Sequence, residues 1–227
     1  MAAVIAFDVN ETLLDLRALD PAFEKIFGSA AARGQWFTQM LQLSLVGGLT
    51  RQYVDFSTAQ RAALQMLAER AGQPITEQQI GDILRRMRSL PPHPEVPAAL
   101  TQLRTAPLKV IALTNSVQTV AEAQLRNADI AQHFDKIMSA DITKHLKPAP
   151  EPYHAVAQAF DVKPADVRLV AAHSWDITGA LAAGCQAAFV ARPGMVLSPL
   201  GAQPDIIEAD IAGVLERAVS IDARTDR

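Results

Sequence analysis

The sequence has a single cysteine, no extended run of basic residues and no long apolar stretch. Cys185 has no partner for an internal disulfide, which is typical of a reducing compartment, so we expect a cytoplasmic location. The net charge is −3, and without a basic cluster we expect no nucleic-acid partner. No apolar stretch approaches the roughly 20 residues that span a bilayer, and no leader-type segment is evident, so we expect no membrane partner.

Short apolar runs alternate with helical patterns along most of the chain. The runs lie at residues 4–7, 109–113, 136–140, 167–172 and 187–191. The helical patterns lie at residues 95–105, 119–128, 152–160 and 176–183. Continuous apolar runs bounded by turn residues are typical of strands that are covered on both faces. The alternation therefore predicts an α/β fold, with a Rossmann-like parallel sheet and helices on both faces.

Residues 15–92 carry helical patterns and no convincing strand. The patterns lie at residues 20–27, 35–46, 55–71 and 76–87. We expect Gly47-Gly48 to interrupt this segment. The prediction is a core domain of residues 1–14 and 93–227, with an inserted helical cap domain of residues 15–92. A helical lid over the C-terminal edge of the sheet would exclude water from the chemistry.

Polar side chains follow several of the predicted strands. Asp8 follows the first run, Thr114 and Asn115 follow the second, and Asp176 lies just beyond the fourth. Lys147 lies in a proline-rich loop between them. Ligands of α/β sheets bind at the C-terminal ends of the strands, so we expect these groups to converge. Together they indicate an enzyme that uses a carboxylate nucleophile.

These residues resemble the motifs of the haloacid dehalogenase superfamily. Its four motifs correspond, in order, to residues 7–13, Thr114-Asn115, Lys147-Pro148 and Asp176. Within the superfamily the chain is most similar to the L-2-haloacid dehalogenase branch, through Tyr153 and the segment 175–180. The resemblance implies that the protein releases halide from a small 2-haloalkanoic acid, through an ester on Asp8, to give the 2-hydroxy acid.

The resemblance also implies roles for individual residues. Asp8 would be the nucleophile, and Lys147 would offset the negative charge of Asp8 and Asp176. Asp176 would orient Lys147 or activate the water that cleaves the ester. Asp8 as a turn cap and Asp176 as a helix cap are the structural alternatives. The remaining candidates are substrate-binding residues, namely Asn10, Thr12, Phe37, Thr114, Asn115, Tyr153, His173 and Trp175.

Three positions depart from related proteins. Asn10 stands where phosphatases of the superfamily carry an aspartate that protonates the leaving alkoxide, whereas a halide leaves without a proton. His173 stands where dehalogenases carry asparagine, and is either a proton acceptor for water or a hydrogen-bonded histidine. Phe37 stands where they present an arginine, and a phenyl ring gives no charge-assisted bond. Either Arg33 or Arg51 replaces that arginine, or the substrate is not a standard 2-haloacid.

Two other functions stay open at this stage. One is a phosphatase of a small metabolite, which would use Mg²⁺, and the other is a weakly active member that binds a carboxylate. We expect no essential metal or other cofactor, because His173 and Ser174 supply no second acid beside Asp176; Mg²⁺ would be needed only if the phosphatase function holds. We expect a small-molecule substrate as the partner, and the apolar helices of the insert also allow a homodimer.

Overall fold

The computed structural model describes residues 2–222 and contains one parallel sheet. Its strands are β1 (Val4–Phe7), β2 (Lys109–Thr114), β3 (Lys136–Ser139), β4 (Val167–Ala171), β5 (Gln186–Val190) and β6 (Ile206–Glu208). The strand order is β3-β2-β1-β4-β5-β6, so β1 lies between β2 and β4. Val4 is in register with Lys109 on one side and with Val167 on the other. The parallel sheet is as predicted.

Helices cover both faces of this sheet. Four helices lie in the chain between β1 and the next core helix, namely α1 (Asp20–Phe27), α2 (Ala32–Leu49), α3 (Phe56–Ala71) and α4 (Glu77–Arg86). The other helices are α5 (Val96–Leu103), α6 (Gln118–Asn127), α7 (Pro150–Ala159), α8 (Ser174–Ala182) and α9 (Ile211–Asp222). None of the helices within residues 2–222 has the length and apolar character needed to cross a membrane.

The sheet separates two apolar cores, and the side chains of its central strand β1 alternate between them. Ile5 and Phe7 point into a core shared with the inserted helices, and Val4 and Ala6 point into the core on the other face. This alternation is the period of two of a strand. Trp36 of α2 is buried in the shared core, and its Nε1 donates a hydrogen bond to the carbonyl of Gln60 in α3 (3.0 Å). The inserted helices therefore share one continuous apolar core with this face of the sheet.

One helix differs from the prediction. Gly47-Gly48 was expected to interrupt the insert, but α2 runs through both residues to Leu49. A Cβ atom at position 47 would lie only 2.8 Å from the carbonyl oxygen of Gln52. Glycine at position 47 therefore serves the close return of the chain after α2, and does not mark a break in the helix.

Candidate active site

Asp8 continues directly from β1 and is buried at the C-terminal edge of the sheet. Its backbone N–H donates a hydrogen bond to the carbonyl of Val170 in β4 (3.0 Å), so the strand pairing fixes its position. Oδ1 accepts a hydrogen bond from Lys147 Nζ (3.0 Å). Oδ2 accepts one from Thr12 Oγ1 (2.8 Å) and lies 3.0 Å from His173 Nδ1. Both carboxylate oxygens are thus oriented by donors.

Lys147 lies between the two acids predicted for the site. Its ammonium is fully buried and lies 2.5 Å from Asp176 Oδ2, as well as contacting Asp8. The hydroxyl of Tyr153 donates to Asp176 Oδ1 (2.5 Å). Asn115 exchanges two hydrogen bonds with the backbone of Lys147, at 2.8 and 3.0 Å. Asp176 therefore holds Lys147 and does not cap α8, which corrects that alternative.

The charges in this cluster favour an ionised Asp8. Burial by itself would raise the pKa of Asp8, but Lys147 and His173 outweigh it and hold the pKa of this carboxyl well below its usual range. Burial would likewise lower the pKa of Lys147, whereas Asp176 and Asp8 raise it. For Asp176, burial outweighs Lys147 and raises the pKa of its carboxyl. Asp8 is therefore ionised, and the carboxylate is the form in which it can act as a nucleophile.

His173 links Asp8 to a second acid, Glu11. Its Nε2 lies 2.9 Å from Glu11 Oε2, while its Nδ1 faces Asp8. The imidazole is stacked between Phe37 (ring centroids 5.4 Å apart) and Trp175 (5.1 Å). Burial by itself would lower the pKa of His173, but the hydrogen bonds to Asp8 and Glu11 raise it to about 9. In the resting state His173 is therefore an imidazolium that donates to both carboxylates.

Sequence reasoning missed Glu11 as a site residue, and with it the pairing of Glu11 with Arg33. Glu11 Oε1 accepts a hydrogen bond from Arg33 Nη1 of α2 (3.1 Å), and Arg33 Nε donates to Asp20 (2.5 Å). Arg33 is thus committed to two carboxylates. Arg51 is exposed and lies beyond the C-terminal end of α2, whereas Arg33 lies in the first turn of this helix of 18 residues, which is about 27 Å long. The available signal for Glu11 was an acid three positions after Asp8, in the loop that leaves β1.

Like Thr12, Asn115 and Tyr153, two more of the predicted substrate-binding residues bond to groups inside the protein. Asn10 Nδ2 donates to Ser116 Oγ (3.3 Å), and its Oδ1 accepts from the side chain of Gln124 (2.9 Å). The hydroxyl of Thr114 accepts from the backbone N–H of Ser116 (3.1 Å). These side chains shape the loops around Asp8.

A cavity of about 330 Å³ opens beside His173. Phe37, Leu41, Trp175 and Met195 give it an apolar wall, and Ser174 and Glu11 add polar groups. Trp175 Nε1 is buried and has no hydrogen-bond partner among the described residues. A larger cavity, about 630 Å³, lies between α5 and α9, and neither Asp8 nor His173 lines it. His173 lines the smaller cavity and its Nδ1 faces Asp8, so the smaller cavity is the candidate route for a small molecule to the ionised carboxylate.

Comparison with known proteins assigns this arrangement to a family. A profile of haloacid dehalogenase-like hydrolases matches residues 2–184. The chain belongs to this family. The match includes Asp8, Lys147 and Asp176, which the fold brings together.

The relatives of this haloacid dehalogenase-like hydrolase include dehalogenases. It is 30% identical over 197 residues to the (S)-2-haloacid dehalogenase of Xanthobacter autotrophicus, covering 85% of this chain and 76% of that protein. It is 27% identical to the haloacetate dehalogenase H-2 of Moraxella sp. (strain B), covering 88% of this chain and 91% of that protein. The structure of the Xanthobacter L-2-haloacid dehalogenase with chloropropionic acid covalently bound matches with a TM-score of 0.89 and 25% identity, over 97% of this chain and 99% of that chain.

The site of this hydrolase does not fit the Mg²⁺ expected of a phosphatase. Magnesium prefers several oxygen ligands that are free to coordinate it. Here both oxygens of Asp8 accept hydrogen bonds, and the neighbouring group from the start of α8 is the imidazolium of His173. Within residues 2–222, no three His, Cys, Asp or Glu side chains are grouped so that they could hold a metal ion.

Proposed function

We propose that this protein is a hydrolase that releases halide from small 2-haloalkanoic acids. The observation that carries the proposal is the buried, ionised Asp8, which Lys147 holds at the sheet edge 3.0 Å from its Nζ. The named activities of its relatives, an (S)-2-haloacid dehalogenase and a haloacetate dehalogenase, support the same reaction class.

In the first step Asp8 attacks the carbon that bears the halogen. A bond forms between Oδ1 and this carbon, the carbon–halogen bond breaks, and the halide leaves with the bonding electrons. Attack from the side opposite the halogen inverts the configuration at this carbon. No proton is needed, so the amide at Asn10 is no handicap. Trp175, whose buried indole N–H lacks a partner among the described residues, is available to donate to the departing halide.

In the second step water cleaves the ester at Cγ of Asp8. Esterification neutralises Asp8, which is one of the two acids that raise the pKa of His173, so that pKa falls. His173 then releases its proton to solvent and accepts one from the attacking water. It passes that proton to the departing alkoxide, and the carboxyl of Asp8 returns a proton to His173. The products are the 2-hydroxy acid and the resting enzyme.

His173 is better placed for this role than Asp176. Asp176 has no exposed surface, and its two oxygens bind Lys147 and Tyr153. His173 lines the cavity and faces Asp8. Asp176 is then the residue that positions Lys147.

Residues 15–92 would act as the cap domain, since α1–α4 place Phe37 against His173 and so shield the ester from bulk water.

Three exposed apolar residues of α2, Leu45, Val46 and Leu49, support a homodimer. The single cysteine, Cys185, supports a cytoplasmic location.

The direct test is halide release from chloro-, bromo- and fluoro-acids by the wild type and by Asp8→Asn, with EDTA present throughout. We expect release by the wild type alone. No release from any acid, followed by phosphate release from a metabolite panel with Mg²⁺, would overturn the proposal in favour of a phosphatase.

A further inference from the structure

Two residues one turn apart on α2 hold the His173–Glu11 pair. Arg33 Nη1 donates to Glu11 Oε1 (3.1 Å), and the ring of Phe37 stacks on His173 with an interplanar angle of 13°. Residues four apart lie on the same face of a helix, so both contacts come from one face of α2. Both members of this pair lie outside the inserted helices, because Glu11 follows strand β1 and His173 follows strand β4.

The backbone of Glu11 is fixed by the core, whereas its carboxylate is shared with the insert. Its φ of +62° is in the left-handed region, which side chains other than glycine adopt only when the surroundings hold them there. Its N–H donates to the carbonyl of Leu14 (2.8 Å), and its carbonyl bonds to His93 Nε2 (3.1 Å). Oε1 goes to Arg33 and Oε2 to His173. Arg33 thus decides which way the carboxylate faces.

Arg33 is poorly placed to bind the carboxylate of a substrate. Its side chain is only 16% exposed, and it already bonds to Glu11 and Asp20. A substrate would have to displace either the largely buried Glu11 or the half-buried Asp20. The geometry therefore favours a role through Glu11.

On the basis of the proposed function, we infer that Arg33 is a positioning residue for ester cleavage. It holds Glu11 so that His173 Nδ1 keeps facing Asp8, and Phe37 fixes the plane of the imidazole. Water activation thereby depends on α2 being seated against the core. Attack by Asp8 on the substrate does not depend on it, since Lys147 and Thr12 orient Asp8 from the core.

The experiment separates these two steps in Arg33→Met. Rapid-quench measurement of halide gives the first turnover, and intact-protein mass spectrometry detects the ester on Asp8. We expect a first turnover within about twofold of wild type, a steady-state kcat lower on the order of 10- to 100-fold, a KM that falls with kcat, and an accumulated ester. Arg33→Lys, which keeps the charge, is expected to recover part of the loss.

Arg61→Met is the matched control, because Arg61 also pairs an inserted helix with a carboxylate, that of Glu77, but lies away from His173. It is expected to leave both phases unchanged. Glu11→Gln is the second variant, and it is expected to accumulate the same ester. If Arg33→Met does not fold, this variant decides the inference.

Three results would overturn the inference while leaving the proposed function intact. One is a raised KM with unchanged kcat, which would show that Arg33 binds the substrate. Another is a first turnover that slows in step with kcat and leaves no ester. The third is a wild-type steady state in both Arg33→Met and Glu11→Gln. Absence of halide release from the wild type would instead overturn the proposed function itself.

Discussion

Replacing Lys147 with methionine is expected to destabilise the protein strongly and to abolish halide release. Lys147 has no exposed side-chain surface and lies 3.0 Å from Asp8 and 2.5 Å from Asp176. With an effective dielectric constant of about 20, these contacts correspond to attractions of roughly 5–7 kcal/mol each. Desolvation of the ammonium offsets much of this, so we expect a loss of about 3–5 kcal/mol in the free energy of unfolding.

This loss is expected to depend on pH. The pKa of Asp8 is lowered in the folded protein, so its stabilising contribution is present above its unfolded pKa near 3.8 and disappears as pH falls toward the folded value. Without Lys147, Asp8 and Asp176 take up protons more readily, and a protonated carboxyl needs no cation. The difference between wild type and Lys147→Met should therefore shrink as pH falls from 7 toward about 4.

Urea unfolding at several pH values measures this difference, with Lys25→Met as the control because Lys25 is exposed on α1. A loss below about 1 kcal/mol at pH 7, or one that does not change with pH, would refute the assignment of a buried ion-pair cluster.

Two further substitutions test the packing around the site. Gly179→Ala places a Cβ 2.5 Å from the Cβ of Pro148, so we expect the free energy of unfolding to fall by about 2 kcal/mol or more and kcat to fall as well. Gly48 has open space around it, so the control Gly48→Ala should stabilise α2 by up to about 1 kcal/mol. Equal effects of the two substitutions in thermal unfolding would contradict this. In the wild type the guanidinium of Arg168 lies 2.6 Å from the buried carboxylate of Asp222, and Arg168→Met leaves that carboxylate without a cation. We expect the free energy of unfolding to fall by about 3–5 kcal/mol while the kcat of the folded enzyme stays unchanged. A changed kcat would show that this ion pair influences the active site.

The sheet could be predicted because its strand pattern is local, and the convergence of Asp8, Lys147 and Asp176 could be predicted from the topology of a parallel sheet. The predicted strands are continuous apolar runs, and the strand ends of a parallel sheet share one edge. By contrast, β6 has only three residues, too few for a pattern. Helix α9 was not predicted, although the sequence carries its signal: the buried residues Ile211, Val214, Leu215 and Ala218 recur at helical spacing.

The partners of buried polar side chains could not be predicted. Asn10 bonds to Gln124, 114 positions along the chain, and no local pattern joins them. Glu11 meets His173 across 162 positions. Which acid pairs with which cation follows from packing between the insert and the core, and therefore needed the structure.

The most direct test of the central claim is the origin of the oxygen in the product. Substrate is turned over once in H₂¹⁸O with enzyme in excess, and both the 2-hydroxy acid and the peptide that contains Asp8 are weighed by mass spectrometry. An ester on Asp8 that water cleaves at Cγ predicts unlabelled product and ¹⁸O in Asp8. Labelled product with unlabelled Asp8 would show that water displaces the halide directly, and would contradict the role assigned to Asp8.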